Sequence, residues 1–431
     1  MQRYGLSEVI NHLLGRDPPT PFDMLVMGRF LRCSLRSVLQ RNALSGEAVL
    51  EVEYLPAMRQ PTEAEHTEQA GRLQRPRKPD WVSAVASGGE GEGFFVTGSY
   101  DGCLRTYSSN LKISSVEKAH DGPITTLCRI PSDASRAGGG GGGQLFLSGG
   151  KDMTARVWRA ISGSDRACSL GGIALLRGHA NSVSSAFASG QAAFTGDWSG
   201  RVCRWDVVGI TAAAGEGEGN QAKKRLKKSP AGWAATTLLQ PEPTASFQAH
   251  SQAVTGLAGP GPGPGHKLGA GDMGVDNGGS QENTLYSSSL DRAIKTWDVE
   301  RQDCVSTLNA PKSITCLACS FSGRVLATGH PDARVRIWDT RTKGETLTRA
   351  SLSSHKQWVS SVAFIPRSET MVISCAYDGA VKLWDTRSSV PLHTAKAHGD
   401  KALTVMWHEG KIVSGGGDGA VKSYLVPDAA D

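Results

Sequence analysis

The stretch Met371-Val-Ile-Ser-Cys-Ala-Tyr-Asp-Gly-Ala-Val-Lys-Leu-Trp-Asp385 most limits what this chain can fold into. Met371 to Cys375 is apolar and β-favouring, and Asp378-Gly379 is a hairpin turn signal. In the returning strand, Val381 and Leu383 fall on one face and Lys382 and Trp384 on the other. The arrangement recurs at Thr97…Asp101…Tyr107, Ser148…Asp152…Trp158, Thr195…Ser199…Trp205 and Ser287…Asp291…Trp297. It recurs again at Thr328…Asp332…Trp338 and Ser414…Asp418…Tyr424. Each copy has a Ser or Thr four residues before the turn residue and an aromatic ring six after it. Seven copies lie far beyond chance.

The pattern resembles the WD40 repeat, in which about 40–45 residues make one four-stranded propeller blade. Successive turns stand about 40 to 50 residues apart, except that the step from Ser199 to Asp291 is about twice as long. That step reads as an insertion, because 207–283 holds no further aspartate-turn-tryptophan match. The expected fold is an all-β, seven-bladed WD40 β-propeller over 80–426. The last blade shows three strands, at 402–407, 411–414 and 420–425. Its fourth is expected upstream of residue 80, within 66–79, closing the ring non-covalently.

The resemblance also assigns a structural role to a set of polar residues. In such repeats a loop histidine bonds the strand Ser or Thr and the turn Asp, and the chain of bonds ends at the Trp indole. The matching sets are His120 with Ser148, Asp152 and Trp158; His179 with Thr195 and Trp205; and His250 with Ser287, Asp291 and Trp297. His355 goes with Ser374, Asp378 and Trp384, and His398 with Ser414 and Asp418. Blades one and five lack the loop histidine, with Asp80-Trp81 and Pro311-Lys312 in its place. Such networks stabilise only when every member is satisfied. The sets look like nucleophilic triads, but repetition around a ring is a structural device and no strained nucleophile turn accompanies them. With no metal-ligand cluster, phosphate loop or acid/base pair in view, the chain reads as a non-enzyme without cofactor or metal.

Composition narrows the class. Of 431 residues, 39% are hydrophobic and 20% charged, enough to bury a large core. The apolar runs are far short of a membrane span, and Met1-Gln-Arg-Tyr-Gly-Leu is no signal peptide, so a soluble intracellular protein is expected. Nine cysteines are scattered, and the lone Cys316-Leu-Ala-Cys319 pair has no partner pair for zinc, so they read as reduced core residues. A net charge of +6 permits contact with an RNA-rich particle without requiring it.

Ahead of the propeller, residues 4–15 place Leu6, Val9, Ile10, Leu13 and Leu14 at helical spacing, ended by Gly15 and Pro18-Pro19. A strand at 22–28, a short amphipathic piece at 31–39 and an alternating strand at 48–55 follow. This order matches the latter part of a ubiquitin-like β-grasp (α+β) module, partial here, over 1–55. Arg3-Tyr-Gly-Leu-Ser-Glu-Val-Ile-Asn-His-Leu-Leu-Gly15, Pro21-Phe-Asp23, Phe30-Leu-Arg-Cys-Ser-Leu35, Leu50-Glu-Val-Glu-Tyr54 and Asp80-Trp-Val-Ser83 are similar to one family in particular. It is that of the WD-repeat subunit of the pescadillo ribosome-biogenesis complex. The notchless type of assembly factor shares the layout, but the Asp80-Trp-Val-Ser83 entry favours the pescadillo partner.

The resemblance implies a scaffold in large-subunit pre-rRNA processing, acting in the nucleus, nucleolus and nucleoplasm. Implied partners are the block-of-proliferation protein and pescadillo, the AAA ATPase midasin, and the pre-60S particle, with rRNA contact left open and no membrane. The resemblance further implies an acidic residue that completes midasin's metal site, and the position matching it locally, in Leu44-Ser-Gly-Glu-Ala-Val-Leu50, is Glu47. A carboxylate oxygen is a suitable hard ligand for magnesium; without the resemblance Glu47 is an exposed loop glutamate. One departure stands out: the chain begins at the family's first helix, so the opening hairpin the resemblance calls for is missing, and two expectations stay open, a truncated gene model or compromised midasin docking.

Residues 56–79 read as a polar, proline-bearing linker, and disordered inserts are expected at about 136–143, 207–245 and 258–284. The second carries the basic run Lys223, Lys224, Arg225, Lys227 and Lys228, open to readings as a solvated charge run, a nuclear import signal or an rRNA contact. A ubiquitin-ligase substrate receptor is the competing propeller function, disfavoured because no F-box-like helical module precedes the repeats.

Overall fold

A computed structural model describes residues 3–15, 19–43, 45, 49–58, 60–63, 80–89, 91, 93–131, 143–162, 168–189, 192–212, 238–260, 284–341, 348–366 and 368–426. Glu47, residues 66–79 and the basic run 223–228 lie outside them, as do most of the expected inserts.

The N-terminal module opens with α1 (Arg3–Leu14), which stops where Gly15 takes a left-handed φ of 61°. β1 (Phe22–Val26) and β2 (Arg29–Phe30) form a hairpin. Then comes α2 (Leu35–Arg41), whose N-cap Ser34 accepts from the Ser37 amide at 3.3 Å. The piece expected helical from residue 31 therefore starts four residues later, because Ser34 is the cap. β3 (Val52–Pro56) pairs antiparallel with β1, giving the order β2-β1-β3. Phe22, Met24, Val26 and Leu31 form the module's core, with Leu6 and Ile10 of α1 packed on it. β3 does not alternate cleanly between buried and exposed, since it sits at the edge of the sheet.

Seven four-stranded antiparallel sheets follow as blades of one ring. Their innermost strands are Val82–Ser87, Ile124–Ile130, Val183–Ala188, Val254–Ala258, Cys316–Cys319, Val359–Phe364 and Ala402–His408. The seventh blade takes its outermost strand from β4 (Thr62–Glu63), which pairs with Tyr424 and Leu425. The closing strand thus lies just ahead of the 66–79 stretch where it was expected. The Glu63 carboxylate and the Lys422 ammonium, 3.1 Å apart, add to this short pairing.

The core lies between neighbouring blades. Phe94, Phe146 and Trp158 fill the first junction, and Ile373, Ile412 and Tyr424 the sixth. The recurring Ser/Thr-Gly dipeptide serves this packing. A Cβ at Gly98 would stand 2.6 Å from Ile124 Cγ2 of the next blade, and one at Gly415 would stand 2.5 Å from Val82 Cγ1.

The insert expected at 207–245 is structured at both ends. Residues 207–212 are helical, with Val207 and Ile210 buried under blade three. Leu239 bridges in parallel to Ala174, accepting from the Leu175 amide at 2.8 Å and so covering the edge of blade two. Apolar side chains at each end reach the core, which the charge-rich middle concealed. Among the described residues no helix is long and apolar enough to cross a membrane.

Candidate functional site

The histidine sets assemble around one face of the ring. His120 Nδ1 lies 3.0 Å from each Asp152 oxygen, its Nε2 lies 2.8 Å from Ser148 Oγ, and Trp158 Nε1 donates to that hydroxyl at 2.9 Å. His250 meets Asp291 and Ser287 at 3.0 and 2.7 Å, and Trp297 donates to Ser287 at 2.8 Å. His355 meets Ser374 at 2.8 Å and Asp378 at 3.3 Å, with Trp384 donating to Ser374 at 2.8 Å. His398 meets Asp418 at 3.0 Å and Ser414 at 2.9 Å. The serine hydroxyls are wholly buried and already bonded to imidazole, and all but Ser414 also to an indole. They cannot reach a substrate.

Two sets depart from the sequence expectation. In blade three His179 meets Thr195 at 2.6 Å, and Trp205 donates to Thr195 at 2.8 Å. The carboxylate there is Asp197, 3.0 Å from His179 Nδ1, two residues before the turn position held by Ser199. Ser199 Oγ instead donates to Asp197 at 2.6 Å. In blade five the histidine is His330, from the blade's own turn rather than the preceding loop. It meets Thr328 at 2.8 Å and the Ser313 carbonyl at 2.9 Å, and Trp338 donates to Thr328 at 2.8 Å. Both blades that lack a loop histidine hold the turn aspartate with an arginine four residues on: Arg105 on Asp101 and Arg336 on Asp332.

Burial sets the charge of these rings. It pushes His250 and His398 down, and His330 and His355 down to about 4, with Arg336 adding to the effect on His330. In His179 burial acts the same way, but the fully buried Asp197 carboxylate and the Cys203 sulfur, 3.9 Å from Nδ1, together outweigh it and raise the ring to about 9. Burial likewise pushes Cys128, Cys316, Cys319 and Cys375 up to about 12, making them unreactive thiols.

The same face carries a chain of aromatic and cationic side chains that no sequence pattern announced. Lys151 Nζ lies 5.4 Å from the Tyr100 ring centroid, and Tyr100 lies 5.3 Å from Trp81. Lys401 Nζ sits over Trp81 at 5.3 Å and over Tyr377 at 5.0 Å, and Tyr377 stacks on Trp358 at 6.1 Å. Tyr100, Tyr377, Trp358 and Trp198 line the mouth of the central channel, a cavity of about 550 Å³. Trp198 and Trp358 are 53% and 54% exposed.

Comparison with known proteins fits this architecture. The profile of the NLE (NUC135) domain matches residues 1–39, and that of the WD domain, G-beta repeat, matches 112–159, 302–339 and 347–385. A ribosome biogenesis protein WDR12 homolog of Chlamydomonas reinhardtii is 31% identical over 98% of this chain and 91% of its own length. This chain belongs to the WDR12/YTM1 family. The ribosome biogenesis protein YTM1 of Eremothecium gossypii is 31% identical over 97% of the chain and 89% of its own length. The WDR12 homolog of Arabidopsis thaliana is 29% identical over 96% and 88%. The family's NLE-plus-propeller organisation is thus the one the residues and the geometry describe.

Proposed function

We propose that this chain is a non-enzymatic scaffold in ribosome biogenesis, acting in maturation of the large (60S) subunit in the nucleolus and nucleoplasm. The observation that carries the reading is near full-length similarity to ribosome biogenesis proteins across both the NLE module and the propeller. The buried, fully bonded Ser/Thr-His sets favour a platform over a catalyst. The propeller would bind the block-of-proliferation protein, which in turn holds pescadillo. Glu47 would be offered to the metal site of midasin, whose ATP-driven pull removes the complex from the pre-60S particle.

A tagged copy expressed in its own cells tests this. It should co-sediment with large-subunit precursors, and its depletion should make their pre-rRNA accumulate. Confinement to free-protein fractions would overturn the scaffold reading. Glu47→Ala should leave particle association intact while the protein builds up on late precursors; normal release would remove midasin from the scheme.

A further inference from the structure

The aromatic and lysine side chains around the channel mouth carry an inference of their own. From Lys151 through Tyr100, Trp81, Lys401 and Tyr377 to Trp358 they form a continuous run across blades two, one, seven and six. Each ammonium is held against a ring, so its position is set before any ligand arrives, which lowers the entropic cost of binding. Each keeps N–H donors that do not point into the ring. Trp358 and Trp198 present half of their surface to solvent at the same mouth. Asp80 beside this run accepts from the Trp81 amide at 2.8 Å, and Asp101, Asp152 and Asp378, which follow Tyr100, Lys151 and Tyr377 in sequence, are held by Arg105, His120 and His355.

We infer that this face binds single-stranded RNA, with Trp358 and Trp198 stacking on bases and Lys151 and Lys401 pairing with phosphates. Single strands are bound without strict sequence preference by aromatic platforms alternating with cations that follow the backbone. Tyr and Trp are common at protein interfaces as well, but lysine is depleted from their cores in favour of arginine, so the two lysines are what favour a nucleic-acid strand over a protein partner. The choice of RNA over single-stranded DNA rests on the ribosome-biogenesis reading; the stacking geometry does not.

The test uses the full chain and a fluorescein-labelled oligouridine of about 12 nucleotides, read by anisotropy and by quenching of tryptophan fluorescence. Wild type should bind with quenching. Trp358→Ala should weaken binding by about tenfold. Lys401→Gln and Lys151→Gln should each weaken it and lower the slope of log affinity against log salt by about one. Unchanged melting curves for all three variants would show that folding is not what was lost. The inference is overturned if wild type does not bind. It is equally overturned if the three variants bind like wild type, or if replacing Lys223, Lys224, Arg225, Lys227 and Lys228 by Gln removes binding while the face variants keep it. Equal competition by a polyglutamate of matched charge would also overturn it, in favour of an acidic protein segment. Sedimentation with large-subunit precursors is scored on the same wild-type protein. Retained sedimentation without oligouridine binding sinks this inference and leaves the scaffold reading standing.

Discussion

Ser360 Oγ donates to the carbonyl of Ala402 at 2.6 Å, joining the innermost strand of blade six to that of blade seven. The earlier junctions carry the same bond. Ser83 reaches Ile124 and Thr125 reaches Val183, while Ser184 reaches Val254 at 2.6 Å, Thr255 reaches Ile314 at 2.9 Å and Thr315 reaches Val359 at 2.6 Å. Each hydroxyl follows the first apolar residue of its strand entry, and each accepting carbonyl belongs to the first apolar residue of the next. Ser360→Ala strands the Ala402 carbonyl at a buried junction, at about 1–3 kcal/mol. Urea unfolding should show that loss; an unchanged midpoint would mean water replaces the hydroxyl.

The junction between blades seven and one is built otherwise, because Leu403 stands where the hydroxyl would be. On the opposite side of the ring, Ser87 Oγ and His408 Nδ1 are 2.8 Å apart, and Glu409 accepts from the amides of Gly91 and Gly93 at 3.1 and 3.2 Å. Glu409→Ala should therefore act locally. Hydrogen exchange should quicken at Gly91, Gly93 and through Val82–Ser87, while blades three to five keep their rates. Uniform acceleration around the ring would contradict a local clasp.

Asp197 should be the most sensitive of the turn carboxylates. It is wholly buried and accepts from His179, the Ser199 hydroxyl and amide, and the Arg201 amide. Asp197→Ala leaves the charged His179 ring without its partner, at about 3–5 kcal/mol. Asp378→Ala, whose histidine is neutral at pH 7, should lose only about 1–3 kcal/mol. Equal losses in thermal or urea unfolding would show that the His179–Asp197 pair is not ionic.

What the sequence yielded here divides along physical lines. The seven hairpins and five of the histidine sets were legible because their members recur at fixed offsets. Asp197 was missed because Ser199 took its turn position, although Asp-x-Ser is itself a local bonding pattern. His330 was missed because it sits in the turn rather than the preceding loop. The strand-entry pairs Val82-Ser83, Ile124-Thr125, Val183-Ser184 and Val359-Ser360 held a second repeat signal in plain view. β4 is too short for periodicity to mark it. The run through Trp81, Lys401 and Tyr377 had no signal at all, since its members meet only when the ring closes.

The neutral histidines make the ring sensitive to acid. His330 and His355 sit near 4 because burial disfavours their charged forms. The unfolded chain, with histidines near pKa ~6.5, binds more protons between those values. Stability is therefore lost as pH falls from about 6.5 to about 4, by up to ~1.4 kcal/mol per pH unit for each ring. His179 has the opposite sign: its contribution is complete below about 6.5 and is lost as pH rises through about 9. Urea unfolding across this range should give a maximum near neutrality, and His355→Gln should flatten its acid limb. A wild-type profile flat from pH 7 to 4 would refute the assignment of neutral rings.

Among the described residues, the Phe30 ring is one of the ties between the N-terminal segment and blade six. Phe30 lies between two guanidinium groups, Arg32 at 5.2 Å and Arg387 at 5.4 Å from its centroid. Arg387 is itself fixed by Asp385, with Nη2 donating at 2.7 Å and Nε at 3.0 Å. His393 Nε2 lies 3.2 Å from the Met58 carbonyl, a second tie just past β3. Four residues beyond Met58 the chain becomes β4, the strand that completes blade seven. Two residues of pairing hold little by themselves, so docking of the module restrains the piece that closes the ring. Phe30→Ala removes the stacking surface, worth about 0.5–1 kcal/mol at a partly exposed site. Amide exchange should then quicken at Ala57 and at Thr62–Glu63, beyond the module that was altered. Faster exchange confined to β1 and β2 would show that the closing strand holds without the docked module.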